Sequence, residues 1–112
     1  MCYKIKSRIW IELNNKVFLG EGRVHLLMAI KDTGSLTKAA KSLGLSYKKA
    51  WHLLDAVNKS AQKPVTINTV GGKGGGGVKL TEYGTSLIET FNTINQRCWH
   101  FLDSELEKIK KL

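Results

Sequence analysis

The stretch that decides the fold is residues 34–51, which reads GSLTKAAKSLGLSYKKAW. It contains two helical segments on either side of Gly44, and a serine stands before each of them, Ser35 and Ser46. A serine hydroxyl at a helix N-cap accepts a hydrogen bond from a free amide of the first turn. Glycine just after a helix takes the left-handed conformation that ends it. The pattern predicts a short helix, a tight turn at Gly44 and a longer helix over residues 46–60.

Apolar residues occupy the positions where two helices joined by a tight turn must contact each other. Ala40 lies four residues before Gly44, where only a small side chain lets the helices approach closely. The other positions expected to be buried between them are Ala39, Leu43, Leu45, Ala50 and Leu53. On the longer helix, the buried face is centred on Ala50, Leu53, Leu54 and Val57. These positions indicate a helix-turn-helix, whose second helix enters the major groove of DNA.

Extended segments and one further helix precede this unit. Residues 3–13 alternate between apolar and polar side chains, which predicts a half-buried strand. Asn14-Asn15 tolerates positive φ and predicts a tight turn into a short strand at 17–19. Helical spacing of the next apolar residues predicts a helix that stops at Gly34.

Two strands and a long helix are predicted after the helix-turn-helix. The only proline precedes a strand over 65–70, and a glycine-rich loop, 71–77, leads to a second strand at 78–80. A capped helix follows over 81–112. We therefore predict one domain over residues 1–112, mainly α with a small β content. Its class is a winged helix-turn-helix with an N-terminal β-hairpin, a glycine-rich wing and a long C-terminal dimerisation helix.

Positive charge is concentrated in the same part of the chain. The sequence carries 18 Lys and Arg against 9 Asp and Glu, a net charge of +9. Residues 34–80 hold eight of the lysines and one acid, Asp55, which accounts for seven of the nine net charges. Such an excess favours a polyanion, either nucleic acid or an anionic membrane surface. Its coincidence with the helix-turn-helix favours double-stranded DNA.

The helix-turn-helix assigns contact roles to particular side chains. Base-edge and nearby phosphate contacts are expected from the N-terminal part of the recognition helix: Ser46, Tyr47, Lys48, Lys49 and His52. A phosphate is expected at the start of the preceding helix, on Ser35, Thr37 and Lys38, unless Ser35 serves only as a cap. Trp51 is expected to pack in the core rather than against sugar-phosphate. Asp55 is expected to be solvated rather than to accept from a cytosine amine.

Three interpretations of the glycine-rich loop stay open. Gly72, Gly74 and Gly77 match G-x-G-x-x-G formally, but a strand follows where a dinucleotide-binding loop needs a helix. A flexible linker is the second interpretation. The third, which we favour, is the tip of a wing, where glycines let the backbone lie close to DNA and a lysine supplies charge. The wing contacts are then Gly72, Lys73, Gly74 and Gly75.

The last helix carries an apolar stripe that needs a covering surface. About thirty residues span roughly 45 Å, which is more than a small domain covers. The stripe either pairs with the same helix of a second chain, which we favour, or folds back on its own domain. The predicted dimer contacts are Tyr83, Leu87, Phe91, Ile94, Cys98, Leu102 and Leu106.

Several other classes of protein are disfavoured. No apolar run approaches the roughly 18 residues of a membrane span, and the N-terminus lacks the apolar core of a signal peptide. Cys2 and Cys98 are too few for a disulfide framework and fit a reducing cytoplasm. His25, His52 and His100 lack metal-ligand spacing with either cysteine. We therefore expect no metal, no cofactor and no enzymatic activity.

Three stretches resemble the N-terminal DNA-binding domain of the ModE family of molybdate-responsive transcription regulators. They are residues 34–51, the loop 71–77 with its single lysine, and Leu80-Thr81-Glu82-Tyr83-Gly84. The turn region also resembles, more weakly, the LysR-type regulators. The resemblance implies a winged-helix homodimer that acts at promoters through its recognition helix and wing. Because the sequence ends at Leu112 without an oxyanion-binding motif of the Ser-Ala-Arg-Asn type, molybdate sensing is not expected.

These features predict a sequence-specific transcription regulator that binds a near-palindromic operator as a homodimer. It either stands alone or works with a separate effector-sensing chain. The alternative is a dimeric adaptor, or a nonspecific nucleic-acid-binding protein, that needs a separate effector chain. A small nucleotide-binding enzyme is disfavoured because no helix follows Gly77.

Overall fold

A computed structural model describes residues 2–70, 77–109 and 111–112. These residues form two antiparallel hairpins and four helices. In chain order the elements are β1 (Trp10–Leu13), β2 (Lys16–Gly20), α1 (Glu21–Thr33), α2 (Leu36–Ser42), α3 (Tyr47–Ser60), β3 (Thr66–Thr69), β4 (Gly77–Leu80) and α4 (Glu82–Glu107). The mainly α class, with an N-terminal hairpin and a long last helix, is confirmed.

Local signals set the boundaries of the central helices as predicted. The Ser35 hydroxyl accepts the amide of Lys38 at 3.1 Å, and the Ser46 hydroxyl accepts that of Lys49 at 3.0 Å. The turns after α1 and α2 contain Gly34 and Gly44, with φ of +67° and +69°. Residues other than glycine rarely adopt this left-handed backbone conformation, so both glycines define where their helices end.

The core lies where α1, α2 and α3 meet β2 and the first half of α4. Its buried apolar residues are Leu19, Val24, Leu26, Leu27, Ile30, Leu36, Ala39, Ala40, Ala50, Leu54, Val57, Val65, Ile88 and Phe91. Three alanines line the α2–α3 contact, as expected for closely approaching helices. The prediction that Leu43 is buried there is wrong. Since α2 ends at Ser42, Leu43 leaves the interface and lies beside Met28 in a surface groove, 37% exposed.

The first residues of the chain pack on a helix rather than in a sheet. Only Trp10–Leu13 of the predicted strand 3–13 pair with β2, across a turn in which Asn14-Asn15 has the expected positive φ. Residues 2–9, here called the N-terminal segment, keep the alternating burial but run along α4. The Lys4 ammonium bonds the Asp103 carboxylate, and the Ser7 hydroxyl lies 3.3 Å from the Cys98 sulfur. The predicted alternation of the side chains is present, but this segment packs against α4 and not against another strand.

The second hairpin is fastened to the turn between α1 and α2. β3 and β4 pair in register from Thr66 with Leu80 to Thr69 with Gly77. The Val78 amide donates to the Gly34 carbonyl at 3.1 Å, which joins β4 to the turn after α1. This hairpin therefore has a fixed place beside α2 and α3.

Helix α4 begins at its predicted cap but is shorter than expected. The Thr81 hydroxyl accepts the Gly84 amide at 3.0 Å. The helix ends at Glu107 instead of continuing to residue 112. Over 26 residues it extends beyond the other helices, which gives the molecule dimensions of 60 × 31 × 22 Å. No helix in the described part of the chain is long and apolar enough to cross a bilayer.

Candidate nucleic-acid interface

Helix α3 has a buried side and a basic, aromatic outer side. Ala50, Leu54 and Val57 are buried against the core. The exposed residues of its first turns are Tyr47, Lys48, Lys49, Trp51 and His52. All of the α3 residues predicted to touch DNA, together with the cap Ser46, therefore lie on the surface.

Trp51 lies outside the core, contrary to the prediction. Its side chain is 45% exposed, and its ring meets that of His52 edge-on with the centroids 5.3 Å apart. The reason is geometric, because Ala50 and Leu54 already fill the inner side of α3 and leave Trp51 on its flank. Asp55, one turn further on, pairs with Lys59 at 2.9 Å. The Asp55 side chain is 30% exposed within this ion pair, and the absence of a base contact stays a prediction.

A cleft brings together residues from four elements, α2, α3, β3 and β4. Ser35 and Thr37 from the start of α2, Tyr47 from the start of α3 and Asn68 from β3 line a space of about 290 Å³. Lys38, in the first turn of α2, is exposed. The proposed phosphate-contact residues of α2 and the first base-contact residues of α3 are therefore neighbours.

Asn68 was not singled out from the sequence. It shares one face of β3 with Thr66, and both line a second space of about 260 Å³ against Trp51 on α3. Asn68 lines both spaces, and both include residues of α3 and β3. The alternation of polar Thr66 and Asn68 with Ile67 was the available signal.

The wing contacts predicted at Gly72, Lys73, Gly74 and Gly75 lie outside the described residues. The strand ends next to this loop are described, and they are tightly packed. The Gly77 amide donates to the Thr69 hydroxyl at 2.9 Å. A Cβ at Gly77 would stand 2.5 Å from the Gly34 carbonyl oxygen, so only glycine fits there without a shift.

The apolar stripe of α4 divides into three parts. Phe91 is 1% exposed in the core of its own domain and is therefore unavailable to a partner, which corrects its assignment as a dimer contact. Tyr83 and Leu87 also pack partly against that core. The half-buried residues further along are Cys98, Leu102 and Leu106, on the part of α4 where the N-terminal segment lies.

The third part of the stripe is open. Ile94 is 45% exposed and Phe101, seven residues later, is 59% exposed. Seven residues are almost two helical turns, so the two side chains lie on the same side of α4. We call this pair the open edge of α4. Phe101 is not among the predicted dimer contacts, and it is more exposed than its neighbour Leu102.

The fold and its surface define a class of protein. Two helices joined by a tight turn, a basic outer face on the second of them and a two-stranded hairpin beside it make a winged helix-turn-helix of the regulatory type. The chain belongs to the LysR family of bacterial regulatory helix-turn-helix proteins, whose family model matches residues 22–85.

Individual relatives agree with this membership. The chain is 32% identical over 106 residues to the molybdenum transport protein ModE of Azotobacter vinelandii, covering 95% of this chain and 39% of that protein. It is 37% identical over 98 residues to the transcriptional regulator ModE of Haemophilus influenzae, covering 85% of this chain and 38% of the relative. The chain thus spans about two fifths of the length of these curated relatives. The resemblance to ModE is confirmed.

A solved structure shows the same fold. The crystal structure of a LysR family transcriptional regulator superimposes with a TM-score of 0.59 at 18% sequence identity. The match covers 88% of this chain and 32% of the other. At this identity the likeness concerns the fold alone.

Proposed function

We propose that the protein is a DNA-binding transcription regulator that recognises a specific operator sequence as a homodimer. The observation that carries the proposal is the outer face of α3, where Lys48, Lys49 and His52 are exposed on a helix whose other side is anchored in the core. Membership of a regulatory helix-turn-helix family and the names of the ModE relatives support it. The proposal assigns no catalytic role to the chain.

The α3 side chains read the bases in this proposal. Lysine pairs with guanine O6 and N7 in the major groove, and a good pairing contributes about 1–3 kcal/mol of discrimination. Lys48 and His52 lie four residues apart, one turn along the exposed side of α3, so both reach the same stretch of groove. A DNA phosphate at the edge of the major groove is contacted by Ser35, Thr37 and Lys38. Lys73 contacts the DNA backbone beyond that groove.

Dimerisation through α4 supplies the second recognition helix, which binds the second half-site of the operator. The open edge is apolar and exposed, with Ile94 near the middle of α4 and Phe101 in its second half. A second copy of the helix buries this edge and places two recognition helices about one DNA turn apart. A near-palindromic operator follows from that symmetry.

An effector is assigned to no residue of this chain. The two ModE relatives reported above are longer than this chain, and the match covers 39% and 38% of their lengths. We propose that any effector binds outside residues 1–112, on a separate chain or segment. Action on a bacterial operator places the protein in the cytoplasm.

Selection from a random duplex library at about 150 mM salt tests the proposal. A specific dimeric regulator enriches an inverted repeat whose half-sites are one turn apart. A nonspecific polyanion binder, the alternative favoured by seven net charges in residues 34–80, enriches no sequence and loses nearly all its affinity as salt rises. That second result overturns the proposal.

Lys48→Ala and His52→Ala are expected to relax the sequence preference. Each removes an exposed donor from α3 without touching the core, so the melting temperature stays within about 2 °C of the original. Affinity for the selected site falls by about tenfold or more for a good base contact, while affinity for random DNA falls much less. Competition binding on both DNAs measures the ratio. If both variants keep the original preference, α3 does not read the bases.

Lys73→Ala is expected to weaken binding to all sequences alike. One phosphate contact fewer reduces the slope of log K against log salt by about 0.9, so the affinity drop between about 50 and about 200 mM salt shrinks roughly 3.5-fold. Titrations on operator and random DNA at the two salt concentrations measure this. Lys63→Ala is the matched control. A loss confined to the operator contradicts a backbone contact.

A further inference from the structure

The side chain of Asn58 joins the recognition helix to the wing. Its Oδ1 accepts the Val65 amide at 2.8 Å and the Thr66 amide at 3.3 Å. Its Nδ2 donates to the Thr66 hydroxyl at 3.0 Å. One amide thus makes three hydrogen bonds to two consecutive residues at the start of β3.

These bonds fix a part of the strand that lacks strand pairing. β3 pairs with β4 from Thr66 to Thr69, so the Val65 amide lies just outside the ladder. Val65 is fully buried, and its carbonyl accepts the Thr81 amide at 3.0 Å. Asn58 therefore supplies the partner that the buried Val65 amide requires.

The same contact lies beside the space of about 260 Å³ between α3 and β3. Asn58 lines this space, and the other lining residues include Leu54, Trp51 and Asn68. On the other side of the wing, Gly34 holds β4 through the Val78 amide. The hairpin is thus held at both strands, and Asn58 provides the hold on β3 from the recognition helix itself.

We propose that Asn58 is a positioning residue for DNA binding, which fixes the wing relative to α3 so that both contact the same half-site. The inference rests on the proposed function, because it concerns how the two contact surfaces act together. Binding is tighter when its contact groups are held in place beforehand, since less freedom is lost on association. Without Asn58 the start of β3 loses its three hydrogen bonds to α3, and the hairpin keeps only its holds on the turn after α1 and on Thr81.

Asn58→Ala and a double-mutant cycle with Lys73→Ala test this role. The measured quantity is the factor by which Lys73→Ala lowers operator affinity. In the Asn58→Ala background this factor is expected to be less than half of its value in the original protein. A residue with only a structural role lowers the folded fraction and leaves the factor unchanged. Asn92→Ala is the matched control, since Asn92 is a half-buried helical asparagine whose one side-chain contact is to the Met28 sulfur at 3.9 Å.

Amide hydrogen exchange without DNA provides an independent measurement. In Asn58→Ala the amides of Val65 and Thr66 are expected to exchange at least tenfold faster, while that of Leu27 in α1 keeps its rate. Equal acceleration at Leu27, or an unchanged Lys73→Ala factor, overturns the inference. If Lys73→Ala has no effect in either background, the wing contact fails and the inference with it. Base reading by α3, tested by Lys48→Ala, is untouched by that result.

Discussion

Gly84→Ala is expected to destabilise the protein by about 2 kcal/mol, although alanine is the better helix former by about 1 kcal/mol. Gly84 lies in the first turn of α4, where the helix passes against the chain before β3. A Cβ there would stand 2.4 Å from the Val65 carbonyl oxygen and 2.8 Å from Leu80 Cδ1. The first of these atoms is backbone and cannot turn aside, so the helix must shift.

Thermal and urea unfolding measure this effect, and Gly22→Ala provides a control of opposite sign. Gly22 also lies in the first turn of a helix, α1, but a Cβ there meets nothing within 4 Å. Its replacement is expected to stabilise the protein by about 0.5 kcal/mol. Gly84→Ala should lower the melting temperature by roughly 10 °C. A Gly84→Ala protein as stable as the original contradicts the close approach.

The same contact explains a motif that the sequence showed only as a resemblance. In Leu80-Thr81-Glu82-Tyr83-Gly84, Thr81 caps α4 and its hydroxyl also lies 2.8 Å from the Pro64 carbonyl oxygen. Gly84 permits the helix to start directly over Val65. The motif thus joins the end of the wing to its beginning, which no reading of residues 80–84 alone can reveal.

Features that depend on near neighbours in the chain were predictable. The caps at Ser35 and Ser46, the left-handed Gly34 and Gly44, and the Asn14-Asn15 turn each involve contacts within a few residues. Their physics is contained in a short window of sequence, so composition and spacing were sufficient.

Features that depend on distant partners were not predictable from the pattern. The alternation of residues 3–9 could not say whether the neighbour is a strand or a helix, and α4 lies some 90 residues away in the chain. Trp51 was predicted to pack in the core, but the smaller residues Ala50, Leu54 and Val57 fill that side of α3. Asn58 looks like any polar residue near a helix end until β3 is placed beside it.

Ile94→Asp is expected to separate the dimer while leaving the fold intact. Ile94 is 45% exposed in the single chain, so its loss removes little of the core. In a paired α4 the carboxylate would be buried against an apolar surface, and two copies would meet near the symmetry axis. Loss of a central contact of this kind weakens association by at least about 2 kcal/mol, roughly a 30-fold rise in the dimer dissociation constant. Analytical ultracentrifugation at micromolar concentration measures it.

The choice of Ile94 rather than Leu87 or Phe91 makes the result interpretable. Those two residues pack against or within their own core, so a charge there unfolds the domain whether or not a dimer exists. Gln96→Asp is the matched control, because Gln96 is exposed and lies about 200° around the helix from Ile94. If Ile94→Asp sediments as the original does, α4 does not pair through its open edge. If it becomes monomeric, each copy still reads one half-site, and the lost affinity for the full inverted repeat measures how much the second recognition helix contributes.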